Sequence, residues 1–292
     1  MNIGVLGADE RAREVAAACV RAGERVRLYD SEATAVMDSI DTVERRLGDD
    51  GIEATDCLEA TTGVDAAVAD VDVVIDTTHS DAAALQDWFA ELEGDLDDDI
   101  LVASAVPAVS VTRAAAGLRL PERAVGFRFH QPPEPFVEVV LAEQTGAVAA
   151  DRASQFAESV AGDWITVRDT PGNVSVRLAL ALEVVAIRMV DEGVADVTAV
   201  DTAFKQLYQG EIGPLERADR LGLAERHDAL QSLAGRLGPR FEPPPLLTAL
   251  VEAGKTGLDA GEGFYVWEDE TPQHSALTDP TATDEHHRDL VG

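Results

Sequence analysis

Short, almost wholly apolar runs alternate with amphipathic stretches through the first 170 residues of the chain. The runs read as strands at 2–6, 25–29, 53–57, 71–76, 100–104, 124–129, 137–141 and 164–168, with helices at 11–21, 33–47 and 82–92 among them. Segments such as "VDVVID" and "ILVASA" have no polar alternation, so both faces of their sheet must be covered. Strand–helix alternation with doubly buried strands predicts an α/β fold: a Rossmann-like, doubly wound, mostly parallel sheet.

The pattern changes after "RDTPGN" at 168–173. "VRLALALEVVAIRMVDEG" reads as a long apolar helix, helical segments continue to about 254, and strand signals almost vanish. The predicted organisation is a dinucleotide-binding domain over 1–170, an all-helical C-terminal domain over 171–267, and an acidic, mobile tail over 268–292. The tail's His286 and His287 read as solvated residues rather than a metal site.

The formal charge of -32, with Lys205 and Lys255 the only lysines, narrows the solvent more than the substrate. In molar salt the Debye length falls to about 3 Å, which screens repulsion between carboxylates. The composition predicts a halophilic, cytoplasmic protein. A phosphate backbone needs a basic stripe, so no nucleic-acid partner is expected. No apolar run reaches the ~18 residues of a membrane span, and Cys19 and Cys57 read as small core residues in a helix and a strand.

"NIGVLGADERAREVAAACVRAGERVRLYD" has the order of a nucleotide-binding βαβ unit. Gly7 opens the turn, with Ala8, Asp9 and Ala12 following, and Asp30 ends the second strand where a carboxylate can accept from a ribose. Asp9 stands where a second glycine would let backbone approach a pyrophosphate, and a carboxylate there predicts weakened NAD binding. Downstream, "PERAVGFRFHQPPEPFVEVV", "DTPGNVSVRL", "EGVADVTAVDTAFK", "QGEIGPLERADRLGL" and "PPPLLTALVEAGKTGLDAGEGFYVW" follow in order. Together with the turn they resemble the 3-hydroxyacyl-CoA dehydrogenase family from residue 1 to about 267.

The resemblance implies an oxidoreductase of fatty acid metabolism that uses NAD to oxidise a 3-hydroxyacyl-CoA to the 3-oxoacyl-CoA. It also implies an acyl-CoA substrate and a homodimer formed through the helical domain. The family's base is a histidine oriented by a glutamate, with a serine and asparagines holding the substrate oxygen. Aligned on Gly126 and Pro132, this chain has Arg128 at the histidine position, Gln131 at the first asparagine and Glu138 at the glutamate. The hydroxyl and amide residues after the fifth strand are replaced over 105–108, and the helical domain's asparagine is Val176. NAD-contacting side chains are replaced at Ser80 and Leu85, and a late lysine at Asp259.

His130 lies two residues beyond Arg128, about 6.6 Å along a regular strand and on the same face. It reads either as a displaced base that Glu138 could meet or as a filler where the family has an aromatic ring. Arg128, always protonated, could bind an anionic group but cannot serve as a base. Three functions stay open on the sequence alone: a dehydrogenase using His130 and Glu138, a non-catalytic relative that binds an acyl-CoA or a protein with weakened or lost NAD binding, and a related oxidoreductase acting on a small hydroxy acid whose carboxylate Arg128 holds.

Overall fold

The computed structural model describes residues 1–277 apart from positions 53, 55, 108 and 131–134. The chain divides into two compact units, Met1–Asn173 and Val174–Gly292. The division falls three residues beyond the expected boundary, after the turn that "TPGN" makes.

The first unit runs β1 (Asn2–Leu6), α1 (Glu10–Arg21), β2 (Arg25–Tyr29), α2 (Ala33–Asp49), β3 (Leu58–Thr61), α3 (Val64–Val68), β4 (Val73–Asp76), α4 (Ala82–Leu92), β5 (Leu101–Ser104), α5 (Val111–Ala115), β6 (Ala124–His130), β7 (Phe136–Leu141), α6 (Ala147–Ala161) and β8 (Asp163–Arg168). The strands form one sheet in the order β3-β2-β1-β4-β5-β6-β7-β8. All neighbours are parallel except β6 and β7, which lie antiparallel. The order reverses between β1 and β4, the switch point at which such sheets open a crevice beyond their strand ends.

Both faces are covered, as the unbroken apolar strands require. Ile3, Val5, Ile75 and Phe127 pack with α1, α2 and α6 on one face. Leu6, Val74, Val102 and Val140 pack with α3, α4 and α5 on the other. α1 shows the local logic: Asp9 caps its N-terminus, Glu10 and Arg21 complement its ends, and Ala12, Val15, Ala16 and Cys19 form the buried stripe.

The third strand is a correction. Residues 56–57 form a turn, and pairing begins only at Leu58, opposite Val26. An edge strand is wetted on one side, so "LEAT" lacks the apolar run that marks the inner strands. Cys57 is therefore in a turn, while Cys19 is buried in α1 and both thiols are free.

The second unit contains α7 (Ser175–Asp191), α8 (Val197–Tyr208), α9 (Pro214–Leu221), α10 (Leu223–Leu237) and α11 (Pro245–Glu252), around Leu180, Ile187, Leu215, Leu230, Leu247 and Phe264. It is not all-helical. A hairpin of β9 (Tyr265–Glu268) and β10 (Thr271–Ser275) closes it, so the expected tail contributes a strand. Residues 278–292, with His286 and His287, lie outside the described residues.

Two buried aspartates organise this unit. Asp201 on α8 accepts from the backbone N–H groups of Leu215 and Glu216 at the start of α9, and from the Tyr265 hydroxyl, each at 2.9 Å. Asp219 on α9 accepts from the N–H groups of Phe264 and Tyr265 and from Trp267 Nε1, again at 2.9 Å. Gly213 and Gly263 lie so close to these carboxylates that any Cβ would collide with them. The motifs "IGPLERADRLGL" and "GEGFY" thus secure α8, α9 and the hairpin to one another.

Among the described residues no helix is long and apolar enough to cross a membrane, and no three His, Cys, Asp or Glu side chains converge as a metal site.

Candidate functional site

At the switch point, Gly7 leaves β1 with φ +129, its N–H donating to Tyr29 O at 2.8 Å. A Cβ at Gly7 would collide with the Thr77 hydroxyl and the Thr78 methyl, so the position needs glycine both for its dihedral and for space. The next residue is fixed as well, because Ser39 Oγ donates to Ala8 O at 2.7 Å. Ala12 is fully buried on the inner face of α1.

Asp9 has a local role that the motif alone does not reveal. Its Oδ1 accepts from Ala12 N at 2.9 Å, making it the N-cap of α1. Arg11 lies 3.5 Å from its other oxygen and donates to Thr77 O at 2.8 Å, bringing a positive charge to the turn. The N–H groups of Glu10 and Arg11 have no protein partner among the described residues. The turn therefore keeps two helix N-terminal donors and a guanidinium for an anion. The Asp9 carboxylate is thus engaged by the helix it starts and faced by Arg11.

A cavity of about 230 Å³ opens beside the turn, lined by Gly7, Tyr29, Asp30, Asp76, His79 and Trp88 among others. Asp30 ends β2, and its Oδ1 accepts from Glu32 N at 2.9 Å. A dinucleotide fits these residues: the glycine turn and α1 N-terminus suit the pyrophosphate, and Asp30 suits ribose hydroxyls. Gly7→Ala is expected to weaken NADH binding at least tenfold while also costing about 1–3 kcal/mol of backbone strain. Fluorescence titration and thermal unfolding of that variant check both.

Of the replaced cofactor contacts, Leu85 is a fully buried core residue of α4, whereas Ser80 and Asp259 are exposed. Gln131 lies outside the described residues.

A second cluster sits on β6 and β7. Arg128 pairs in register with Glu138, and His130 with Phe136, so all four occupy one face. The Arg128 guanidinium is buried. It donates to Ser104 O at 2.8 Å, Phe127 O at 3.0 Å and Val109 O at 3.3 Å, and its Nε has no partner among the described residues. Burial pushes its pKa down to about 10, partly offset by the Asp169 and Glu138 carboxylates, which leaves it charged at neutral pH. Arg128 is committed to the backbone around β5, which corrects the reading of it as an open anion receptor.

Glu138 is also buried, and its Oε2 lies 3.4 Å from His130 Nε2. The imidazole stacks on Phe136 with centroids 5.6 Å apart, and its side chain is 29 % exposed. The structure thus brings His130 and Glu138 together, one partly wet and one dry.

Three residues of the switch-point wall escaped sequence reasoning: Asp76, His79 and Trp88. Asp76 ends β4 as Asp30 ends β2, and a carboxylate closing an apolar run was the available signal.

A doubly wound sheet with a glycine turn, a helix N-terminus and a ribose-accepting carboxylate at its switch point defines a dinucleotide-binding protein. Residues 2–170 match the NAD binding domain of 3-hydroxyacyl-CoA dehydrogenase, and residues 172–267 match its C-terminal domain. The chain belongs to the 3-hydroxyacyl-CoA dehydrogenase family. It is 30% identical over 285 residues to a 3-hydroxybutyryl-CoA dehydrogenase of Mycobacterium tuberculosis, covering 91% of this chain and 98% of the relative. A probable 3-hydroxybutyryl-CoA dehydrogenase of Bacillus subtilis is 29% identical, covering 92% and 98% of the two chains. The crystal structure of FadB2 from M. tuberculosis superposes with a TM-score of 0.82 at 30% identity, covering 91% of this chain and 98% of that one.

Proposed function

We propose that this chain is an active NAD-dependent dehydrogenase that interconverts a 3-hydroxyacyl-CoA and its 3-oxoacyl-CoA, with His130 as the base and Glu138 as its positioning residue. The observation that carries this reading is the 3.4 Å contact between a partly exposed imidazole and a buried carboxylate on adjacent strands. Bound NAD would supply the hydride acceptor for C3 of the hydroxyacyl group. His130 accepts the C3 hydroxyl proton. Glu138 fixes the ring and stabilises the imidazolium once the proton has moved. Arg11, the α1 N-terminus and Asp30 would hold the dinucleotide.

Arg128 favours a second reading. It fills the family's histidine position and is tied to three carbonyls, as in a scaffold that has left catalysis and binds an acyl-CoA or a protein without NAD.

The acidic surface supports work in molar salt, and the exposed Leu178, Leu182 and Val185 on α7 support pairing of two copies through the second unit. The deciding experiment is NADH titration in molar KCl with acetoacetyl-CoA, following absorbance. Saturable binding with NADH oxidation is expected. Folded protein that neither binds NADH at millimolar concentration nor turns over supports the second reading and overturns the first.

A further inference from the structure

Asp76 is fully buried at the end of β4, and its carboxylate is enclosed by the turn that follows. Oδ2 accepts from the backbone N–H of His79 at 3.1 Å. Oδ1 lies 2.7 Å from His79 Nδ1 and accepts from Thr78 Oγ1 at 3.2 Å. The imidazole stacks on Trp88 of α4, with centroids 5.5 Å apart and planes inclined by 22°. Ring position, tilt and tautomer are therefore all set: Nδ1 carries hydrogen toward Asp76, and Nε2 has no protein partner among the described residues. The indole Nε1 of Trp88 is buried and also without a partner.

Both rings line the 230 Å³ cavity that holds Gly7 and Asp30. The cavity's other ionisable groups are the Tyr29 phenol and the carboxylates Asp30 and Asp76, with Glu91 of α4 near enough to act on the ring. Among the residues lining this cavity His79 is the one able to carry positive charge, with Arg11 standing at the turn beside it.

We infer that protonated His79, oriented by Asp76 and Trp88, is a recognition residue for the adenosine half of the dinucleotide, donating from Nε2 to an oxygen of the ribose or its phosphate. The inference rests on the reading that the first unit binds NAD. It explains how a site with carboxylates at Asp9, Asp30 and Asp76 attracts an anion without the family's usual side chains at Ser80 and Leu85.

The hydrogen bond to Asp76 is the main cause that holds the imidazole above its ordinary pKa, with Coulombic help from Asp76 and Glu91 against the opposing effect of burial. Protonation, and with it the donated hydrogen bond, is lost as pH rises through that raised value. Affinity must then fall on the alkaline side.

The test is fluorescence titration with NADH, and competition by ADP, at pH 6 and pH 8.5 in molar KCl. The wild type is compared with His79→Phe, which keeps the stack on Trp88, and with His79→Gln. A charge-assisted hydrogen bond predicts about tenfold tighter wild-type binding of both ligands at the lower pH. His79→Phe is expected to bind weakly with no pH dependence, and His79→Gln to recover part of the affinity, also without it. NADH binding unchanged in folded His79→Phe at both pH values overturns the inference while leaving the dinucleotide reading standing. A pH effect for NADH that ADP lacks overturns the placement on the adenosine half. No NADH binding by the wild type at either pH overturns the reading and the inference together.

Discussion

His130→Ala is expected to lower kcat by about 10²- to 10⁴-fold, the ordinary worth of a positioned general base, while leaving NADH affinity within twofold. The imidazole sits at the end of β6, and the residues assigned to the dinucleotide lie at the ends of β1, β2 and β4 and on α1 and α4, so the two effects separate. Glu138→Gln should give a smaller loss in kcat. The amide can still hold the ring in place but no longer stabilises the imidazolium that forms when the proton is taken. Stopped-flow single turnovers with NADH and acetoacetyl-CoA distinguish slowed chemistry from slowed release. Wild-type turnover in His130→Ala would overturn the assignment, since Arg128 is protonated at working pH and walled in by Ser104, Phe127 and Val109.

The position of this base illustrates what strand geometry can convey. That Arg128 and His130 share a face follows from a two-residue period, and that Glu138 meets His130 follows from the antiparallel register of β6 and β7. Neither the burial of Arg128 nor its carbonyl partners can be read from the sequence, because two of those carbonyls, Ser104 O and Val109 O, come from β5 and the turn beyond it and the third, Phe127 O, belongs to its own strand. Asp9 has a second role that the motif does not convey, for a related reason. A consensus glycine position predicts what approaches the backbone, but a residue's own hydrogen bond to Ala12 N is decided by the helix it starts.

Inner strands were easy to read because burial on both faces leaves no polar alternation. β3 was misplaced because it lies at an edge, and β10, "TPQHS", is too polar to signal a strand at all. His79 gives no sequence signal because it meets Asp76 three positions back across a turn whose conformation no periodicity encodes.

The C-terminal motifs that most clearly mark the family prove to be folding determinants, and they make the second large prediction. Asp219→Ala would strip the acceptor from Phe264 N, Tyr265 N and Trp267 Nε1, all in the closing hairpin region. Orphaned buried donors cost about 1–3 kcal/mol each before relaxation, so a loss of at least ~3 kcal/mol is expected. The second unit should then unfold ahead of the first, which calorimetry resolves as a new low-temperature transition. A pH signature separates this carboxylate from a generic core lesion. Burial raises Asp219 from the ordinary 3.8 to about 6 against the pull of its donors. Between those values the folded state holds a proton that the unfolded chain has released, so stability attributable to Asp219 is full below about pH 4 and lost by about pH 6. Subtracting the Asp219→Ala unfolding curve from the wild type's should therefore give a difference that declines with rising pH across that window and is level above it. A flat difference throughout would mean that Asp219 keeps an ordinary pKa inside the fold, and that its three donors fully offset its burial.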